Sequence, residues 1–168
     1  AVAQGYSLPL MEAFYTLQGE GYHKGGAAYF IRIGGCDVGC HWCDVKESWN
    51  AALHPPTHID EIVKGAKQYS DTVVVTGGEP LMWPMKPLTN LLHSKEINIH
   101  IETSGAYPLS GIWDWFCLSP KKNTLPINDA YVRADELKMI VYNKDDILFA
   151  EEHASKVGSD CKLFLQPD

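Results

Sequence analysis

The chain has 168 residues, 45% of them hydrophobic, 21% charged and 11% aromatic, and a net charge of −7. That length and composition fit one globular domain and exclude a disordered tail, a collagen-like fibre and a disulfide-dense miniprotein. The acidic balance argues against a broad nucleic-acid surface or a polybasic membrane patch, and no window reaches the ~18 consecutive apolar residues of a membrane span. Ala1 to Pro9 lacks the basic and apolar regions of a secretory signal, and five cysteines, an odd number, suit a reducing cytoplasm better than an oxidising compartment.

Taken in chain order, Tyr29-Phe30-Ile31-Arg32-Ile33 predicts a short strand ending in Gly34-Gly35. Ile59, Ile62, Val63, Ala66 and Tyr69 fall at helical spacing, with Asp60 and Glu61 in the first turn, where the helix dipole favours carboxylates. Thr72 to Val75 predicts a buried strand closed by Gly77-Gly78. Pro84 or Pro87 opens a helix carrying Leu88, Leu91 and Leu92. Ile97 to Ile101 alternates apolar residues with Asn98 and His100, a strand pattern, and Trp115 to Leu118 and Leu137 to Tyr142 are further strands. Ile147, Ala150, Ala154 and Val157 form a helical stripe before a last strand at Lys162 to Leu165. The interval 123–135 carries no assignable pattern.

Strands alternating with helices imply crossover connections, hence a mostly parallel sheet of the α/β class with flanking helices. Sites in such sheets lie on the loops after the strands. Four loops in those places carry chemically marked residues: the cysteine loop, Gly77-Gly-Glu-Pro80, Glu102-Thr-Ser-Gly105 and Ser119-Pro-Lys121.

Cys36-Asp-Val-Gly-Cys40-His-Trp-Cys43 is the strongest signal. Three thiolates on one short loop can converge on a soft metal centre. Structural zinc prefers four closed ligands, and His41, adjacent to Cys40, is poorly placed as the fourth. The ligand count suits a four-iron cluster with one iron open to another ligand. Zinc and unliganded thiols remain the alternatives on the residues alone. Cys117 and Cys161 sit in strands and read as small packing hydrophobes.

The C-x3-C-x2-C spacing, an aromatic before its third cysteine and the downstream GGEP resemble the radical S-adenosylmethionine (SAM) superfamily. More narrowly, the chain resembles the 7-carboxy-7-deazaguanine synthase family of the queuosine pathway. The matching stretches are Phe14-Tyr-Thr-Leu-Gln-Gly-Glu-Gly21, Phe30-Ile-Arg-Ile-Gly-Gly-Cys36, Cys43-Asp-Val-Lys-Glu-Ser-Trp49, Val75-Thr-Gly-Gly-Glu-Pro80, Glu102 to Gly105, Ser119 to Lys121 and Leu165-Gln-Pro167. The resemblance implies a single radical SAM domain over 1–168, an incomplete TIM-like barrel expected to lack its C-terminal closing elements.

It further implies that Cys36, Cys40 and Cys43 hold a [4Fe-4S] cluster whose open iron binds SAM, so that an electron yields methionine and a 5′-deoxyadenosyl radical. Gly78 and Glu79 would meet the SAM amino group, Trp42 and Asp44 the adenine side, and Ser119, Lys121 and Gln166 the ribose and carboxylate. The substrate implied is 6-carboxy-5,6,7,8-tetrahydropterin. Leu17, Gln18 and Gly19 would line it through backbone groups, Thr76 would touch it, and Arg32 would clamp its carboxylate. On local sequence Arg32 reads equally as one half of a structural ion pair. Glu12 and Glu20, flanking the TLQG segment, face either the pterin or solvent. Loss of ammonia after ring contraction would give 7-carboxy-7-deazaguanine.

One departure concerns Mg2+. The family commonly places a hydroxyl ligand two residues after the third cysteine, where this chain has Val45, which cannot coordinate a hard cation. Weak or altered Mg2+ dependence is expected. The resemblance also implies a flavodoxin or ferredoxin electron donor, a homodimer, and no nucleic-acid or membrane partner. The competing readings are an activase that generates a glycyl radical on a partner protein and a non-catalytic iron–sulfur or zinc module. The TLQGEG and CDxKxxW segments count against the first, and the GGEP and SPK loops against the second.

Overall fold

The computed structural model of the chain describes residues 2–37 and 46–167. Eight strands form one sheet in the order β3-β1-β2-β4-β5-β6-β7-β8. They are β1 Ser7–Leu17, β2 Ala27–Ile33, β3 Pro56–His58, β4 Thr72–Gly77, β5 Asn98–Thr103, β6 Trp115–Leu118, β7 Glu136–Val141 and β8 Lys162–Pro167. β1 pairs antiparallel with both β2 and β3, and every pair from β2 to β8 is parallel. The sheet does not close: β3 and β8 are its two ends, as an incomplete barrel requires.

Four helices, α1 Ile59–Tyr69, α2 Lys86–Ser94, α3 Asn128–Arg133 and α4 Lys144–Ala154, connect the parallel strands. Period-two alternation divides each strand between two environments. Tyr29, Ile31 and Ile33, with Val73, Val75, Ile99, Ile101, Phe116, Leu118, Leu137 and Met139, are buried in the core with Ile62, Val63, Leu88 and Leu92 of the helices. Each such side chain contributes roughly 1.5–3 kcal/mol by leaving water. The alternate residues, Arg32, Thr76, His100, Glu102, Cys117, Glu136 and Lys138, occupy the opposite, polar face. A parallel sheet ordinarily buries apolar residues on both faces, so this polar face marks the interior of the partial barrel.

The helices end where their chemistry dictates. The His58 ring accepts from the Asp60 amide at the start of α1. Pro87 lies in the first turn of α2, where a missing N–H costs nothing. Asn143 and Asp146 form a reciprocal capping box on α4. That helix departs from the expected stripe. Its buried residues are Ala150 and His153, Ile147 is 44% exposed, and Val157 lies beyond its end. Three elements have no counterpart in the sequence reading: β1, β3 and α3, the last within the unassigned interval.

The Gln18 to Gly26 turn between β1 and β2 takes an unexpected place. Because Leu17 pairs with Ala27, the first residue of β2, the turn lies at the end of β2 opposite Cys36. It folds across the polar face of the sheet. Tyr22 stacks on Trp115, with ring centroids 5.0 Å apart, and His23 packs 4.6 Å from His100. Gly21 takes φ +75°, a conformation that favours glycine, and a Cβ there would fall 2.2 Å from a carboxylate oxygen of Glu136.

Candidate active site

The carboxyl ends of the strands are laced together by named contacts. The Gly35 amide donates to Ser48 O (2.5 Å) and the Cys36 amide to Trp49 O (3.2 Å), which brings the two ends of the cysteine loop side by side. Trp83 Nε1 donates to Gly34 O at 2.9 Å, and the Glu79 amide donates to Gly35 O at 2.8 Å. The glycines of GGEP are required by this approach. A Cβ on Gly77 would lie 2.2 Å from Ile33 O, and one on Gly78 2.2 Å from Gly35 O. The Tyr107 hydroxyl donates to Asp37, next to Cys36, and burial followed by that bond pushes the phenol up to about 12.

Glu79 is the knot between loops. It is 1% exposed, and Leu81 N, Thr103 Oγ1, Ser104 N and Ser104 Oγ all donate to its carboxylate at 2.6–2.9 Å. Four donors fill the acceptor capacity of a carboxylate. Its oxygens thereby hold the Thr103-Ser104 segment at the rim. The neighbouring Ser119 amide donates to Thr103 O at 2.8 Å, and Lys121 Nζ donates to Ser119 Oγ at 3.1 Å. The GGEP, ETSG and SPK loops are thus contiguous on the rim, with Cys36 beside them.

The residues expected to meet substrate lie deeper, on the polar face. Arg32 and Thr76 are register partners on β2 and β4. Arg32 Nε donates to Glu12 Oε1 at 2.7 Å, so the ion-pair reading of this arginine is realised. The contact uses Nε, and a carboxylate fork on the two terminal nitrogens is geometrically compatible with it. Thr76 Oγ1 donates to Glu102 Oε2 at 3.3 Å, and Lys138 Nζ lies 2.8 Å from Glu20 Oε2 and 3.4 Å from Glu102 Oε1. Leu17, Gln18 and Gly19 sit at the far end of β1, apart from the rim. Gln166, on the edge strand β8, pairs in register with Ile140, and its Nε2 donates to Pro167 O. Cys40, Trp42, Cys43, Asp44 and Val45 lie outside the described residues.

Several polar residues of the barrel interior went unremarked in the sequence. Lys138 is the most informative. Burial works to strip its charge, but the Glu102 carboxylate first, then Glu20, outweigh it and hold the ammonium above its usual range. The signal was available: Lys138 lies inside the strand predicted over Leu137 to Tyr142, with Glu136 just before it. Cys117 is buried, and its thiol is pushed well up by burial, as expected of a packing residue rather than a reactive one.

The donor set fits an iron–sulfur centre. Cys36 is partly exposed at the rim, its loop is closed at the base by two backbone bonds, and bare glycine backbone lies beside it where SAM would approach. Among the described residues, no three His, Cys, Asp or Glu side chains converge on another metal-holding group.

Comparison with known proteins agrees with this geometry. The family model described as "Radical SAM superfamily" matches residues 30–119, more than half of the chain. The chain therefore belongs to the radical SAM superfamily, a class of enzymes. It is 67% identical over 168 residues to the 7-carboxy-7-deazaguanine synthase of Flavobacterium psychrophilum, covering 100% of this chain and 80% of that protein. The synthases of Synechocystis (47% identity; 96% and 78% covered) and Escherichia coli K12 (34%; 95% and 84%) are also similar. The crystal structure of QueE from Escherichia coli superposes with a TM-score of 0.84 at 32% identity, covering 98% of this chain and 85% of that one. The chain belongs to the 7-carboxy-7-deazaguanine synthase family.

Proposed function

We propose that the chain converts 6-carboxy-5,6,7,8-tetrahydropterin to 7-carboxy-7-deazaguanine with loss of ammonia. The observation that carries this reading is the polar barrel interior beneath the rim. Arg32 and Thr76 stand side by side there, an arginine suited to a carboxylate next to a buried hydroxyl. A partner-protein activase needs no such arginine and hydroxyl side by side for a small acid.

Cys36, Cys40 and Cys43 would hold a [4Fe-4S] cluster, with SAM bound beside Gly78, Ser119 and Lys121, flanked by Trp42, Asp44 and Gln166. When bound, these cofactors supply the one-electron cleavage of SAM that starts hydrogen abstraction from the pterin. The chain's own work is orientation and exclusion of water. Arg32 fixes the carboxylate, Thr76 and the Leu17–Gly19 backbone fix the ring, and Glu79 fixes the rim loops. Gly78, through its backbone, and Glu79, through its negative charge, would meet the SAM amino group. Mg2+ dependence is weakened by Val45.

A cytoplasmic setting with a flavodoxin or ferredoxin as reductant accords with the odd thiol count. No helix among the described residues is long and apolar enough to cross a membrane. A homodimer is proposed from the resemblance to the synthase family.

The test is anaerobic reconstitution followed by incubation with reductant, SAM and the carboxytetrahydropterin. The expected products are 7-carboxy-7-deazaguanine and ammonia from a brown protein. A colourless, iron-free preparation would sink the enzyme reading. 5′-Deoxyadenosine without the deazaguanine would refute the substrate alone.

A further inference from the structure

We propose that Lys138 is a positioning residue that pins the Gln18–Gly26 turn to β5, setting the floor on which the pterin rests. The floor's purpose rests on the function proposed above; the tether itself does not. The turn shapes itself through its own backbone: Gln18 N donates to Gly26 O and Gly25 N to Gln18 O, both at 2.8 Å. Those bonds make the turn but do not attach it to the barrel. Its attachments to β5, β6 and β7 are ring packing by Tyr22 and His23, the seat of Gly21 on Glu136, and the Glu20–Lys138 ion pair.

Lys138 is unusual in what it joins. Its side chain is 9% exposed in the middle of β7, and its ammonium reaches carboxylates from two other elements, Glu20 of the turn and Glu102 of β5. The second oxygen of Glu102 takes the Thr76 hydroxyl. One buried cation therefore connects the turn that contains Gln18 and Gly19 to Thr76, the other residue expected to touch the ring. The two groups of substrate contacts lie on different elements far apart in sequence, and this chain of contacts keeps them in register. Without the cation, Glu20 and Glu102 would face each other as like charges in a partly desolvated space, which repels the turn from the sheet. The ammonium retains its proton through the neutral range, so its effect is geometric and electrostatic rather than acid–base.

The experiment uses the anaerobically reconstituted chain as wild type, K138M, K138R and E20Q. Hydrogen–deuterium exchange of the amides of Gln18 to Gly26 is read first. At least tenfold faster exchange in K138M, with K138R within threefold of wild type, is expected. In turnover, K138M raises KM for the carboxytetrahydropterin at least tenfold, with a smaller effect on kcat, and K138R restores most of it. Unchanged turn exchange in K138M, or a fall in kcat alone with KM unmoved, overturns the proposal. If K138M does not fold, E20Q decides from the half-exposed end of the pair, and wild-type turn exchange there overturns it equally. If the wild-type chain does not act on the pterin, the function reading fails by itself, and the exchange measurements still decide the tether.

Discussion

Ser104 binds Glu79 twice, through its amide at 2.8 Å and its hydroxyl at 2.6 Å, both to Oε1. With Leu81 N and Thr103 Oγ1 on Oε2, the carboxylate is a latch between the loops after β4 and β5. E79Q keeps the shape but turns one end into a donor facing donors. Such a mismatch in a buried site costs about 1–3 kcal/mol. The expected result is a lower Tm together with SAM binding weakened at least tenfold, through displacement of the rim. A melt and a SAM titration matching wild type would show that the latch is not needed.

Gly78 is demanded by backbone, not by conformation. A methyl group there would meet Gly35 O at 2.2 Å, and a carbonyl oxygen cannot swing aside as a flexible side chain can. G78A should therefore displace the residue before Cys36 and cost about 1–3 kcal/mol by overpacking. The displacement falls at the base of the cysteine loop, so iron per chain after reconstitution and SAM affinity should both drop. Full iron loading with native SAM affinity would contradict this.

The rim was legible in the sequence because each of its loops follows an apolar strand and carries glycine, proline or sulfur at a fixed offset. The barrel interior was less so. Arg32 and His100 each looked like an isolated polar residue in a strand and Glu102 like part of a loop, and only the register of β2, β4 and β5 stacks them into one surface. β1 escaped because Met11 to Tyr15 mixes apolar residues on both faces, whereas its pairing with β2 and β3 decides its conformation. α3 has six residues and no side-chain cap, too little for a periodic signal. The two carboxylates left undecided in the sequence found partners only in three dimensions, Glu12 on Arg32 and Glu20 on Lys138.

His100 gives the fold an acid-sensitive point. Burial first, then the neighbouring His23, lower its pKa from 6.5 to about 4, although Asp114 and Asp135 act in the opposite direction. The native ring is neutral and lies 2.9 Å from Asn98 Nδ2 through Nε2. Because the unfolded chain takes up the proton first, stability is full above about pH 6.5 and declines as pH falls toward 4. The group accounts for a loss of about 3 kcal/mol over that window. Denaturant titrations at pH 7 and pH 4.5 should show H100Q less sensitive to acid than wild type. Equal sensitivity would place the proton uptake elsewhere.

Val45 offers a test of metal dependence by substitution. If the absent hydroxyl is what weakens Mg2+ binding, V45T should lower the Mg2+ concentration needed for half-maximal turnover several-fold, while wild type retains substantial activity after chelation. Strict Mg2+ dependence in wild type, unaltered by V45T, would mean that other oxygens bind the ion.

Arg32 separates the two readings of a charged residue on an apolar strand. As a structural half of the Glu12 pair, it could be replaced by lysine at small cost, because Glu12 is 45% exposed and such pairs contribute up to about 1 kcal/mol. As the clamp for a substrate carboxylate, it works through a planar fork that lysine cannot reproduce. Loss of a charge-assisted bond of that kind is worth about 1.5–3 kcal/mol, or roughly 10- to 150-fold in kcat/KM. R32K should therefore melt close to wild type yet lose pterin turnover by that factor, mainly in KM, with substrate-independent SAM cleavage still measurable. A variant with native kcat/KM would leave Arg32 as a strut for β1 and move carboxylate recognition to another residue of the barrel interior.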